Sequence, residues 1–439
     1  MKFGDRIRTT ITHLDDKGCG RGDGMVVPFT APGDVVEATC IKRHRGINTG
    51  RLETVTTPSP DRVPTPCPHA GVCGGCLWQH LDDTAQRRLK CERINAAFAE
   101  AGHLESIETV IPSCEQLFYR NRMDYAIGWK GEVGLKEYGS WNRYVDLSTC
   151  LLLDQETPRL LATVRDLMRD LPLEPWNAKT MTGQVRYVVI RLGKKRNERM
   201  ITLIVKHLGG INDQTQQEIV KRLNPFATSL YLGENPLTTD LSFAQTLLHL
   251  AGNEFLTEEI NGLSYRILPN TFFQTNSPMA AILQTTVLDM IGDMHDTTIL
   301  DLYCGVGFFG IACAKRGATV YGHELDAEAI ALARVNAVLN GVDKRTTFGA
   351  GPVERLDDAR LSADVAIVDP PRAGLHPRAI ETLLRTRPKT IIYVSCNYRR
   401  LATELMAFKQ SYRVDQLVAL DLFPQTPHVE VLARLMRND

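Results

Sequence analysis

The sequence has no long hydrophobic run. No window approaches the eighteen or more apolar residues of a membrane helix, and the opening MKFGDRIRTT carries charges where a secretory signal needs an apolar core. No membrane partner is expected, and a cytoplasmic location is. The chain also lacks net charge, 51 Lys and Arg balancing 51 Asp and Glu. That balance argues against a uniformly polyanion-binding surface, because phosphate contact relies on basic side chains displacing counterions. No internal repeat or low-complexity tract is present, which excludes a solenoid or array. Cysteine is not scarce: there are 11, an odd number, and three crowd into ten residues. This distribution argues against a disulfide framework and for metal or catalytic use.

At 439 residues the chain is too long for one ordinary core, so two or three domains are expected. The neutral average hides basic clusters at Lys42 to Arg45, Arg87 to Arg93, Arg120 with Arg122, and Arg191 to Arg199, while acids gather at 254–259 and 354–364. Most charge runs are solvated surface, yet four basic clusters in the first half leave room for an RNA-sized footprint. Residues 1–58 alternate short apolar runs with Gly, Pro and Asp, the pattern of a small β-barrel, either oligonucleotide-binding or a plain adaptor. TTPSPDRVPTP (56–66) reads as a linker. A helix at about 82–101 follows, then mixed α+β sequence to about 270 in which VRYVVIRLG and MITLIVKHLGG look like paired strands. From about 297, continuous apolar strands alternate with amphipathic helices, which specifies a doubly wound, mainly parallel sheet. The expected fold is multi-domain: a small barrel (1–58), a central α+β domain (59–270) and an α/β Rossmann-like domain (271–439).

In such sheets ligands sit at the carboxyl ends of the strands. DLYCGVGFFG places Gly305, Gly307 and Gly310 after a strand and before a helix, and Glu324 ends the next strand, where it could take ribose hydroxyls. A glycine fingerprint alone does not separate a nicotinamide cofactor from S-adenosylmethionine. Asp301, four residues before the first glycine, tilts the reading to the methyl donor, since its carboxylate could hold a cationic amino-acid tail. The bland alternative is a tight turn without a ligand. IVDPPRAG ends the fourth strand with Asp369; amino-group methylases often follow such a Pro-Pro pair with an aromatic residue, and here Arg372 follows. TIIYVSCN ends the fifth strand, setting Cys396 beside the glycine loop. A buried cysteine is usually a small hydrophobe, the reading given to Cys304 and Cys313. Cys396 differs by position. A thiolate adding to carbon 6 of uracil activates carbon 5 toward a sulfonium methyl, and a base must then remove the carbon 5 proton.

FFQTN (272–276), DLYCGVGFFG, DPPRAG, YVSCN and DLFPQTPHVEVL (421–432), in this order, resemble the RNA uracil-5 methyltransferases that act on ribosomal and transfer RNA. The resemblance implies that Cys396 is the nucleophile, that Glu430 is the general base, and that Gln274, Tyr303, Glu324 and Asp369 line the cofactor and target-base pocket. Two departures stand out: Phe308 follows the second glycine where some family members carry Asn or Gly, and the third strand runs into GAGPVE without an obvious acid for the adenine.

CPHAGVCGGC gives Cys67, Cys73 and Cys76 in C-x5-C-x2-C spacing, with Cys150 later in LSTC. Four thiolates suit zinc or an iron–sulfur cluster by count; one tight knuckle with two dispersed cysteines fits a cubane cluster better. Some family members carry a 4Fe-4S cluster on this spacing behind a TRAM barrel, a module associated with RNA binding. LDDKGCGRGDGMVVPFTAPGDVVEA and PSPDRVPTPCPHAGVCGGCLWQHL resemble that arrangement, so the likeness covers nearly the whole chain. Cys19, Cys40, Cys91 and Cys114 are read as structural. Barrel and cluster together are most similar to the 23S ribosomal RNA members, with transfer RNA the alternative substrate, and a monomer is expected. The target uridine should be splayed from an RNA loop into the crevice, with Phe272, Phe273 and Phe423 as stacking candidates. Arg120 and Arg122 read equally well as phosphate contacts or surface charge. The rival readings are cytosine carbon 5 methylation and a non-catalytic RNA-binding protein on the same scaffold.

Overall fold

The structure is a computed structural model that describes residues 2–353 and 362–438, so most of the acidic run at 354–364 and the Glu ending GAGPVE lie outside the described residues. Three large sheets carry the fold. The first has six strands in the order Arg6–Thr10, Val35–His44, Ile47–Thr57, Met25–Val27, Gly20–Gly22, His13–Leu14. Its two edge strands are neighbours in the chain, so the sheet must curl on itself. Inside it closes a small core of Ile11, Met25, Val27, Val36, Ala38 and Cys40. The Pro-rich stretch that follows is not a free tether: Arg62 forms an ion pair with the buried Asp34 at 2.6 Å, and Asp34 also accepts from the Ser59 amide at 2.9 Å.

The second sheet has seven strands, ordered Tyr144–Asp146, Val133–Lys136, Arg122–Ile127, Val185–Gly193, Glu198–Val205, Ser229–Glu234, Thr246–Gly252. The pairing of Val185–Gly193 with Glu198–Val205 read from the sequence is present and antiparallel.

The third sheet has eight strands, ordered Thr346–Ala350, Thr319–Glu324, Thr298–Leu302, Val365–Val368, Thr390–Ser395, Glu430–Arg437, Tyr412–Leu420, Val110–Ile111. The first five are parallel, as continuous apolar runs require when both faces are covered. Ile299, Ile367, Ile392 and Val394 enter one core, and Leu300, Leu302, Val368, Ile391 and Tyr393 enter the other. The sheet is mixed, however, because Glu430–Arg437 runs antiparallel to both neighbours. The chain segment ahead of the seven-stranded sheet also belongs to this body: Val110–Ile111 forms its last strand, and the helix Asp83–Glu100 packs on the helix Tyr398–Phe408. Among the described residues no helix is long and apolar enough to cross a membrane.

Candidate active site

The glycine loop begins where Thr298–Leu302 ends. Tyr303, Gly305 and Gly307 take positive φ (62°, 53° and 85°), which turns the chain sharply into the helix Phe308–Lys315. Gly307 suits this left-handed position because it has no Cβ to strain. Gly310 is required for space: a Cβ there would stand 2.9 Å from Asp301 Oδ2, which accepts the Gly310 amide at 2.8 Å. The other Asp301 oxygen, Oδ1, is buried and has no hydrogen-bond partner among the described residues. Burial, with Asp369 and Glu324 nearby, pushes the Asp301 carboxyl up to about 8. Glu324, at the end of the next strand, accepts the Gly305 amide at 3.2 Å through Oε2 and the Leu325 amide at 2.7 Å through Oε1. Gln274 is buried and points Nε2 at Asp369 Oδ2, 3.5 Å away, while its backbone carbonyl accepts from Asn121. Phe308, the departure from the family pattern, is core, packed edge-on against Phe273.

The reversed strand accounts for Glu430. Ser395 pairs with Val431 in antiparallel register, and continuing by one residue sets Cys396 opposite Glu430 at the ligand end of the sheet. Cys396 is half-buried, unlike the buried Cys304 and Cys313. Burial and the facing Glu430 push its thiol up to about 11, against the pull of the nearby Arg372 guanidinium. Glu430 is held well above the usual carboxyl range by burial first and Asp369 second, with Arg372 opposing. Asp369 itself rises to about 7, through burial and Glu324. Crowded buried carboxyls resist joint ionisation, so this crevice carries an unmet demand for positive charge. A cationic ligand is what it fits.

Sequence reading singled out Cys396, Glu430 and Asp369 but gave Arg372 no role beyond not being aromatic. It also missed what holds the 421–428 loop. Lys90 and Asp421 are both fully buried, with Nζ to Oδ1 at 2.6 Å, and Nζ also donates to the Phe423 carbonyl at 3.2 Å. Gln86 adds a hydrogen bond to Gln425 Oε1 at 3.0 Å. Breaking one partner of a buried ion pair strands the other charge, so Lys90→Met should destabilise the protein by about 3–5 kcal/mol in denaturant unfolding. His428 lies in the same loop, and burial with Arg372 and Lys90 nearby lowers its imidazole to about 4, so it is neutral at pH 7.

A cavity of about 990 Å³ opens in front of the site, lined among others by Arg120, Arg122, Lys136, Tyr187, Arg372 and Phe423. Of the stacking candidates, Phe423 lines this cavity, Phe272 is 64 % exposed and Phe273 is core, as an aromatic near a strand end more often is. Arg191 is likewise no surface charge: it is buried and donates to the carbonyls of Leu268, Pro269 and Thr271.

The barrel-side cysteines divide. Cys67, Cys73, Cys76 and Cys150 are free thiols that line one small cavity, and burial pushes Cys73 to about 11 and raises Cys76 and Cys150. Among the described residues, no group of three or more His, Cys, Asp or Glu side chains is gathered closely enough to hold a metal ion. Cys19 and Cys40 are buried, whereas Cys114 is exposed and fills no core.

Residues 250–438 match the family model described as tRNA (Uracil-5-)-methyltransferase. Over 430 residues, 98% of this chain and all of the other, the sequence is 36% identical to a tRNA (uracil(54)-C(5))-methyltransferase of Pyrococcus horikoshii. A 23S rRNA (uracil(747)-C(5))-methyltransferase of the same organism is 33% identical over 437 residues, 98% of this chain and all of that one. Among solved structures, the Pyrococcus abyssi tRNA (uracil-54, C5)-methyltransferase in complex with S-adenosyl-L-homocysteine superposes with a TM-score of 0.84 at 34% identity, covering 98% of this chain and 99% of the other.

Proposed function

The chain belongs to the RNA uracil-5 methyltransferase family, and from that premise we propose that it methylates carbon 5 of a uridine in RNA through a covalent Cys396 adduct resolved by Glu430. The observation that carries this reading is the register that sets a half-buried thiol opposite a buried carboxyl at the ligand end of the sheet. S-adenosylmethionine, when bound, would supply a methyl group on a sulfonium, whose sulfur keeps the bonding pair and leaves as a neutral thioether. The crevice suits it: Asp301 has an unpartnered oxygen for the donor's ammonium, and Asp369 and Glu430 are short of positive charge. Glu324 would take the ribose hydroxyls, and Gln274 and Tyr303 would flank donor and base.

The Cys396 thiol loses its proton to solvent, and the positive charge of nearby Arg372 stabilises the thiolate. The sulfur bonds to carbon 6, and the ring's double-bond electrons move to oxygen 4. They return through carbon 5, which takes the methyl group. Glu430 then removes the carbon 5 proton, the 5,6 double bond re-forms and the thiolate leaves. Cytosine carbon 5 chemistry would share the first step, so tritium release from RNA labelled at uridine carbon 5 tests the reading: stoichiometric release with methylation is expected, and methylation without release contradicts it.

With the Cys396 thiol near 11, its thiolate fraction in the ligand-free protein grows about tenfold per pH unit from 7 to 10. Iodoacetamide labelling of Cys396 should rise accordingly, and Arg372→Ala should slow it at pH 8 by removing the interaction that favours the thiolate. A rate flat across this range contradicts the raised thiol.

For the RNA, the 36% identity to a transfer RNA enzyme favours transfer RNA, and the 33% identity to a 23S enzyme supports ribosomal RNA, the class expected from the sequence, as the second reading. Methylation of unmodified transcripts of each decides. The curled amino-terminal sheet is read as a TRAM-like barrel that helps grip RNA. Cys67, Cys73, Cys76 and Cys150 are read as ligands of a 4Fe-4S cluster. A single tetrahedral ion needs its sulfurs about 2.3 Å from one point; four free thiols around one cavity suit the separate corners of a cluster better. An anaerobic preparation should be brown with about four iron atoms per chain, and equimolar zinc without visible absorbance contradicts it.

A further inference from the structure

A second chamber is lined by Cys396 itself and by Arg372, and it shares Lys17 and Arg372 with the larger cavity; its remaining cations have no part in the chemistry above. Its volume is about 220 Å³, and its charged lining is Lys17, Arg93, Arg372 and Arg399 against the single acid Asp16. Asp16 is already neutralised, since its Oδ1 accepts from Arg399 Nη2 at 2.5 Å. Its backbone carbonyl accepts from Arg93 Nη2 at 2.6 Å. Arg93 lies over the Trp78 ring, 5.6 Å from its centroid, and its Nε and Nη1 have no hydrogen-bond partner among the described residues. Positive charge here is in excess and partly unused.

The wall that carries Lys17 comes from the other end of the chain and is held firmly. Asp15 Oδ1 accepts the amides of Lys17 and Cys19 at 2.9 Å, which fixes the turn. The Gly18 carbonyl accepts from Trp78 Nε1 at 2.7 Å, and a Cβ on Gly18 would meet Pro427 Cβ at 2.6 Å. The Trp78 amide in turn donates to the Gln425 carbonyl at 2.9 Å. The amino-terminal hairpin is thus clamped onto the loop that leads to Glu430, and exposed Lys17 stands at the mouth of the chamber.

We propose that this chamber is a phosphodiester site that takes the phosphate bonded to the target uridine, with Lys17 as its amino-terminal wall. A nucleotide drawn out of its stack brings its own phosphates to the lip of the pocket. Cations in a recess make charge-assisted hydrogen bonds to such an anion stronger than neutral ones. The proposal rests on uridine binding at Cys396, and its test needs no methyl transfer, so the two can fail separately.

The probes are uridine and uridine 3′,5′-bisphosphate, each used to protect Cys396 of the full chain from iodoacetamide. In the wild type the bisphosphate should protect at a concentration about tenfold lower than uridine. Lys17→Ala should reduce that ratio to within about twofold, and Lys17→Arg should restore it, each ratio being taken against the same variant's own labelling rate without probe. With an unmodified transfer RNA transcript, Lys17→Ala should flatten the slope of log Kd against log salt by about 0.7 to 0.9. Equal protection by both probes in the wild type, or discrimination that survives Lys17→Ala, overturns the proposal. Whether the wild type methylates RNA decides the functional reading on its own.

Discussion

Cys396→Ala is expected to lower methyl transfer by about four to six orders of magnitude, the scale seen when a covalent nucleophile is removed from a site whose groups act as a unit. The reason is specific to the target. Carbon 5 of uracil is a weak nucleophile until a sulfur occupies carbon 6, so the remaining residues have nothing to accelerate. Donor binding should survive, because Asp301, Glu324 and the glycine loop hold their geometry through their own hydrogen bonds, none of them to Cys396. The check is a steady-state methylation assay beside a titration with S-adenosylhomocysteine. Lost activity with unchanged donor affinity is the expected pair; activity within tenfold of the wild type removes Cys396 from the mechanism.

Glu430→Gln is expected to do something different: to transfer one methyl group and then stop. The amide keeps the size and part of the polarity of the buried side chain but takes no proton from carbon 5. The methylated adduct should therefore persist as protein covalently joined to RNA, visible as a shifted band on a denaturing gel. Turnover should fall by about 10² to 10⁴, the usual contribution of a positioned base. Free turnover by this variant would mean that another group takes the proton. Asp369 is the alternative to test, since burial and Glu324 raise its carboxyl to about 7. Cys396→Ala combined with Glu430→Gln should give no adduct, which ties the band to the sulfur.

Much of the catalytic body was legible in the sequence, for a physical reason. Strands such as TILDL and TIIYVS are buried on both faces, so they are continuously apolar. Their ends mark the ligand edge of the sheet, and Asp301, Asp369 and Cys396 fall there by position. Strand direction leaves no such mark. Glu430–Arg437 is as apolar as its neighbours, and only tertiary pairing reverses it; hence Glu430 was reached by resemblance rather than from the residues. Buried cations were also opaque. Arg191, Lys90 and Arg62 look like surface charge until their carbonyl and carboxylate partners, dozens to hundreds of residues away, are known. The composite chamber at Lys17 was illegible for the same reason, since its cations come from segments spread over nearly the whole chain.

One measurement bears most directly on the covalent role of Cys396. RNA carrying 5-fluorouridine at the target position offers Glu430 no proton to remove after methyl transfer, so the adduct cannot resolve. With S-adenosylmethionine present, the wild type should form a complex stable to denaturation whose mass is that of protein, RNA and one methyl group, with the RNA remnant on the peptide containing Cys396. No adduct on an RNA that the enzyme methylates when unfluorinated, or an adduct on a different residue, would contradict it.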